Sequence, residues 1–183
     1  MTDINSALTV VRAQESAVSP EATEQVPLVD FIELLFFAYR DFVGDPDEIL
    51  APIGFGRAHH RVVHFVNRHP GMRVTDLLDI LRITKQSLGR VLRELVDEGF
   101  VESRAGASDR RQRLLFPTLK GEGLARQFMT LQSRRIAAAF EAGEPQDREA
   151  VRRFLLAMID PEDRAAVERL IQRADRAARS RPA

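Results

Sequence analysis

The stretch from Arg73 to Thr118 constrains this chain more than any other, because its hydrophobic period changes within a short distance while its cations gather on one side. Thr84 is suited to cap a helix, its hydroxyl taking a free backbone N–H of the next turn. From there Leu88, Val91, Leu92, Leu95 and Val96 recur at helical spacing and predict one apolar stripe. Gly99 stands where helices commonly end in a left-handed residue. The opposite face carries Gln86, Gly89, Arg90 and Arg93, with Lys85 beside them near the N-terminus. A helix buried on one side that presents amide and guanidinium groups on the other has what reading the major groove requires.

The preceding helix is expected to begin at Thr75, with Asp76 and Asp79 in its first turns, where the positive end of the dipole favours them. Leu77, Leu78 and Leu81 supply its buried side. The connection Arg82-Ile83 is so short that the two helices must meet steeply, as in a helix-turn-helix. After Gly99 the pattern turns to strands, Phe100 to Arg104 and Arg113 to Phe116, flanking Ala105-Gly106-Ala107-Ser108-Asp109. Arg110 and Arg111 follow that small-residue tip at once. The unit is a winged helix-turn-helix.

The run ITKQSLGRVLRELVDEGFVESRAGASDRRQRLLFPTLKGE closely resembles the MarR family of bacterial transcription regulators, nearest its PetP-like members. The Asp-Arg-Arg wing, the apolar strand after it and Thr118-Leu119-Lys120-Gly121 are the most specific part. The resemblance covers 27–178. It implies a mostly α fold with a small β wing, in which N- and C-terminal helices interleave with a second copy of the chain. Such a homodimer presents two recognition helices about one DNA turn apart, to a pseudo-palindromic site on double-stranded DNA.

Composition narrows the alternatives. Cysteine is absent from the 183 residues, which excludes disulfides, thiolate metal sites and cysteine redox switches. No run is long enough to span a bilayer, and the N-terminus lacks the basic and apolar regions of a secretory signal, so a cytoplasmic protein without a membrane partner is expected. The net charge of zero hides a segregation: residues 1–54 carry two arginines against ten acids, residues 55–120 thirteen Lys/Arg against seven acids, and residues 121–183 twelve against ten. The basic excess coincides with the winged unit, as a phosphate-binding face requires.

In chain order, residues 1–26 read as a disordered acidic arm and 27–54 as a dimerisation helix and linker. The winged helix-turn-helix occupies 55–119, C-terminal dimerisation helices 120–178 and a frayed basic tail 179–183. From Leu28 to Phe42 apolar residues occupy more than one helical face, which asks for cover on several sides. Gly44 and Asp45-Pro46 are expected to stop that helix. A second runs from Gly56 to Arg68. A long helix capped by Thr118 is expected to turn Leu124, Phe128, Leu131, Ile136 and Phe140 inward. Gly143 to Pro145 break it, and a helix from Gln146 to Ile159 follows. Asp160 then caps the last helix, with Pro161 at its first position. The segment around Phe154 is an addition to the usual family pattern.

On the family's pattern, Gln86, Ser87 and Arg90 are the nominees for base edges, Arg90 suited to guanine and Gln86 to adenine. Lys85 and Arg93 are assigned to phosphate, with Thr84 at the helix entry. Gly89 replaces a polar residue usual in the family, so one contact is missing or is replaced by close backbone approach. Arg110 and Arg111 are expected at the minor groove or its phosphates, with Asp109 pairing to Arg111. The implied mechanism is repression of a promoter, relieved by a small-molecule effector that changes the spacing of the recognition helices. Phe36, Tyr39, His60 and Arg61 are nominated for its pocket. His60 and His64 share a helical face and leave a metal-responsive alternative open, although no third ligand is evident. A winged-helix interaction module without specific DNA is the other alternative. No nucleophile elbow, phosphate loop or full metal set points to an enzyme, and nothing calls for a cofactor.

Overall fold

The computed structural model describes residues 28–107, 109–144 and 147–180; the expected acidic arm (1–26) and the end of the basic tail (181–183) lie outside them. The chain divides into two units, Met1–Phe37 and Ala38–Ala183. In the first, helix α1 (Val29–Leu50) begins, and every apolar side chain from Leu28 to Phe37 is exposed, from 36% for Leu35 to 71% for Phe36. Apolar side chains on more than one face of this helix are therefore exposed.

In the second unit α1 does not stop at Gly44 or Pro46, as expected, but runs through both to Leu50. Proline holds a φ compatible with the helix and forfeits one backbone bond, the one to the carbonyl four residues back. That carbonyl, on Phe42, instead accepts a hydrogen bond from the side-chain amide of Gln132 at 3.3 Å. Pro46 itself is fully buried, as is Leu50 one turn on. Burial of the apolar ring and the replacement donor together offset the lost bond.

A 3₁₀ turn (Ala51–Ile53) leads to α2 (Arg57–Arg68), β1 (Met72–Arg73), α3 (Val74–Leu81) and α4 (Lys85–Asp97). The wing is β2 (Val101–Ala105), one residue further on than expected, and β3 (Arg113–Pro117), which starts at the expected Arg113 and runs one residue longer. The sheet has three strands rather than two, ordered β1-β3-β2 and antiparallel, with Leu115 opposite both Met72 and Ser103. A strand of two residues is too short to show a period of its own.

The core lies where α2, α3, α4, the sheet and the first half of α5 (Leu119–Glu141) meet: Val62, Leu77, Leu88, Leu95, Leu115 and Phe128 have essentially no exposed surface. Val96 was expected in the stripe but is 39% exposed. It lies about 80° round the helix from Leu88, at the margin of the face that packs. Ile136, expected inward, is 46% exposed, because α5 has passed its packed half by then. Helices α6 (Asp147–Ala157) and α7 (Pro161–Arg179) complete the chain.

The Thr118–Gly121 motif joins the recognition helix to α5. Thr118 Oγ1 donates to the Gly99 carbonyl (2.7 Å) and accepts from Gly121 N (3.1 Å), capping α5, while Lys120 Nζ donates to the Glu98 carbonyl (2.7 Å). A β-carbon on Gly121 would lie 2.0 Å from the Phe100 carbonyl oxygen, so only glycine allows this contact. Gly99 is left-handed (φ 70°), as its place after the helix requires.

Candidate nucleic-acid interface

Helix α4 is built to keep one face free. Thr84 caps it, its Oγ1 accepting from Ser87 N (3.1 Å) and donating to Ser87 Oγ (2.9 Å). The Thr84 proton is spent on the cap, whereas Ser87 keeps its own hydroxyl proton for an outside acceptor. Leu88, Val91 and Leu95 are buried, and Lys85, Gln86, Ser87, Gly89, Arg90 and Arg93 are exposed. Gln86, Ser87, Gly89, Arg90 and Arg93 together line one shallow depression of about 500 Å³. Every recognition-helix residue nominated from sequence thus lies on one exposed surface.

At the wing tip the backbone is pinned and the side chains are free. Gly106 N donates to the Gln112 carbonyl and Gln112 N to the Asp109 carbonyl, both at 3.0 Å. Arg110 and Arg111 occupy the centre of that last turn, exposed. The expected Asp109–Arg111 ion pair is absent. The Asp109 carboxylate instead accepts from the Arg111 backbone N–H at 2.9 Å, because a side chain so short bonds most easily to the amide two residues on. Among the described residues the side chains of Lys85, Arg90, Arg93, Arg110 and Arg111 enter no ion pair. Arg57, Arg68, Arg73, Arg104 and Arg135 are each held by a carboxylate.

Two supports of this surface have no local signal in sequence. His59 is stacked on Phe55 (centroids 4.2 Å apart) and reaches from α2 to α4. Its Nδ1 accepts from Gly56 N at 3.2 Å, so the proton sits on Nε2 and points to Glu94 Oε2, 2.7 Å away. Arg82, in the turn between α3 and α4, is left-handed (φ 48°), the one non-glycine residue so placed among those described. Its guanidinium meets Asp160 Oδ2 at 3.2 Å and Asp163, which ties the turn to the start of α7. Asp160 does precede Pro161 as expected, yet its side chain makes no capping bond, being turned to Arg82.

The effector nominees divide between the two units. Phe36 belongs to the first unit and is exposed. In the second, Tyr39 is 53% exposed while His60 is buried edge-on against Phe128, centroids 4.8 Å apart. His60 Nε2 and Arg61 Nε are buried and without hydrogen-bond partners among the described residues. His64 packs against Phe65 and is pushed down to about 4, chiefly by burial and then by the neighbouring His60 and Arg68. Burial lowers His60 and His69 as well. Among the described residues no third ligand joins His60 and His64.

A family model described as MarR family matches residues 53–112. The HTH-type transcriptional regulator PetP of Rhodobacter capsulatus is 52% identical over 130 residues, 71% of this chain and 78% of that protein. The chain belongs to the MarR family. It is a transcription regulator of the winged helix-turn-helix kind, not an enzyme. Among solved structures, a MarR transcriptional regulator from Methanosarcina mazei shares the fold with a TM-score of 0.60 at 26% identity, over 70% of this chain and 94% of that one. Streptococcus pneumoniae FabT, solved in complex with DNA, matches with a TM-score of 0.64 over 72% and 94% of the two chains; at 14% identity it speaks to the MarR fold alone. No helix among the described residues is long and apolar enough to cross a membrane.

Proposed function

We propose that this MarR-family chain is a homodimeric repressor that binds a pseudo-palindromic site in promoter DNA within the cytoplasm. The observation that carries the reading is the set of unpaired cations on α4 and the wing, presented on one buttressed unit with Gln86 and Ser87 among them. In this reading Arg90 and Gln86 address base edges, with Ser87 as a third contact. Lys85 and Arg93 hold phosphates, and Arg110 and Arg111 reach the minor groove or its backbone. Thr84 and Asp109 shape these contacts through the helix cap and the tip turn. The exposed apolar side chains of Leu28 to Phe36 and of α6 support a second copy of the chain as their cover. Residues 27–54 and 120–178 are taken as dimerisation segments and 55–119 as the DNA-binding domain.

A small-molecule effector is the second part of the proposal. It is supported by the Nε of Arg61, buried next to His60 in α2 with no hydrogen-bond partner among the described residues, whose burial costs free energy until something bonds to it. A gel shift against the promoter of the protein's own transcription unit, beside sedimentation at micromolar concentration, tests the whole. A dimer that retards this DNA is expected. A well-folded monomer, or no preference over random DNA, counts against the reading. His60→Ala should leave DNA affinity intact while removing the response to any ligand that relieves binding; an unchanged response takes this site out.

A further inference from the structure

Gly89 sits inside the recognition helix, and nothing within the fold requires a glycine there. Its φ is not positive, and a β-carbon built on it meets nothing within 4 Å. Gly121 contrasts with it, since a β-carbon there would strike the Phe100 carbonyl at 2.0 Å. A glycine in a helix interior weakens the helix relative to alanine, through extra chain entropy in the unfolded state. The fold therefore carries a cost at Gly89 without a return inside the chain.

The return lies outside it. Gln86 and Arg93 are the helical neighbours of Gly89 on its own face, and Arg90 is adjacent. With Ser87 they wall the depression whose floor is the bare backbone at Gly89. That floor carries no charge to hold a phosphate. Its N–H lies beyond the first turn of α4, where amides are already bonded within the helix. Among the groups that base pairs present in the major groove, only the thymine C5-methyl is apolar and protrudes. The flanking amide and guanidinium groups suit the polar edges beside it.

We propose that Gly89 is a specificity-determining residue: it lets the helix backbone close onto the major groove and receive a thymine methyl, flanked by the bases that Gln86 and Arg90 address. The inference rests on the DNA-binding function proposed above. A β-carbon at this position stands on the backbone where the thymine methyl would sit and holds the helix away from the base edges, so the effect falls on sequence-specific binding and leaves phosphate contacts in place.

The test begins with selection of binding sites from random duplexes by the full-length protein. Each thymine of the selected site is then replaced by uracil, which removes only the methyl. Uracil at one position in each half-site is expected to weaken the wild-type protein about fourfold, the worth of one buried methyl. Gly89→Ala should melt roughly 2–4 °C higher than wild type. It should lose about tenfold on the selected site, keep its affinity for random DNA, and no longer respond to the same uracil. A flat uracil scan in the wild type, or undiminished affinity of Gly89→Ala for the selected site, overturns the inference while leaving DNA binding standing. A selection that enriches no sequence overturns the DNA-binding function itself, and this inference with it.

Discussion

Whether an arginine in this chain has a carboxylate partner decides what it is free to do. Arg73 is engaged by Asp76, and Arg135 by Asp45, whereas Arg90 and Arg111 enter no ion pair among the described residues. Arg90 projects from a helix whose other side is committed to the core, so it can hold a fixed direction toward one base. Arg111 rides on a ribbon tip, where only the backbone is fixed, by Asp109. Arg90→Ala should therefore cost about 1–3 kcal/mol at the specific site and relax base preference at one position per half-site. Arg111→Ala should weaken specific and random DNA together and flatten the salt dependence by about one unit of slope per subunit. Asp109→Ala should act in the same sense but more mildly, by loosening the turn beneath Arg111. Competition binding against a mutated-site panel at several salt concentrations measures all three. Base relaxation from Arg111→Ala with uniform weakening from Arg90→Ala would reverse these assignments.

At the scale of elements, the least expected feature is a helix that passes through its own proline. α1 reaches the core at Leu50 past Pro46, and the Phe42 carbonyl that the proline releases is answered by Gln132 from α5. Gln132→Leu should destabilise the protein by about 1 kcal/mol, the net worth of the part-buried bond it removes from the Phe42 carbonyl. In a Pro46→Ala background the helix regains its own N–H at that point, and the same Gln132→Leu change should cost clearly less. Urea denaturation of the four proteins gives the coupling, and equal costs in both backgrounds would remove the proposed compensation. The α3–α4 turn is held in a comparable way: a left-handed Arg82 is tied to Asp160 and Asp163 at the start of α7.

The whole molecule carries charge in segregated blocks and histidines that burial keeps neutral. His64, ordinarily near 6.5, stands at about 4 in the folded protein. Between those values the unfolded chain binds a proton that the folded chain refuses, so stability falls as pH drops from the higher toward the lower. The loss from His64 alone should reach about 2 kcal/mol by roughly pH 5, with His60 and His69 acting in the same direction. Denaturation midpoints measured from about pH 7.5 down to about 5 should show this slope, and His64→Gln should flatten it. A His64→Gln protein with the wild-type slope would dissociate the effect from this residue.

The winged helix-turn-helix can be read from the residues alone, because its signals are local. Thr84 and Thr118 cap helices through bonds to amides three residues away, Gly99 supplies a left-handed end, and Leu88, Val91 and Leu95 mark one helical face. The candidate interface was legible for the same reason: once the buried face of α4 is known, Gln86, Ser87, Gly89, Arg90 and Arg93 must lie on the other. Only the tertiary structure decided what depends on partners far along the chain. The Phe42–Gln132 bond answers the carbonyl that Pro46 releases within α1, and pairing with Leu114 and Leu115 makes Met72–Arg73 a third strand. His59 meets Glu94 across 35 residues, and Asp160 turns from the cap of its own helix to Arg82. A proline, a two-residue strand or an isolated histidine has no periodicity to read. Its state is set by which donor, strand or carboxylate the fold brings within bonding distance.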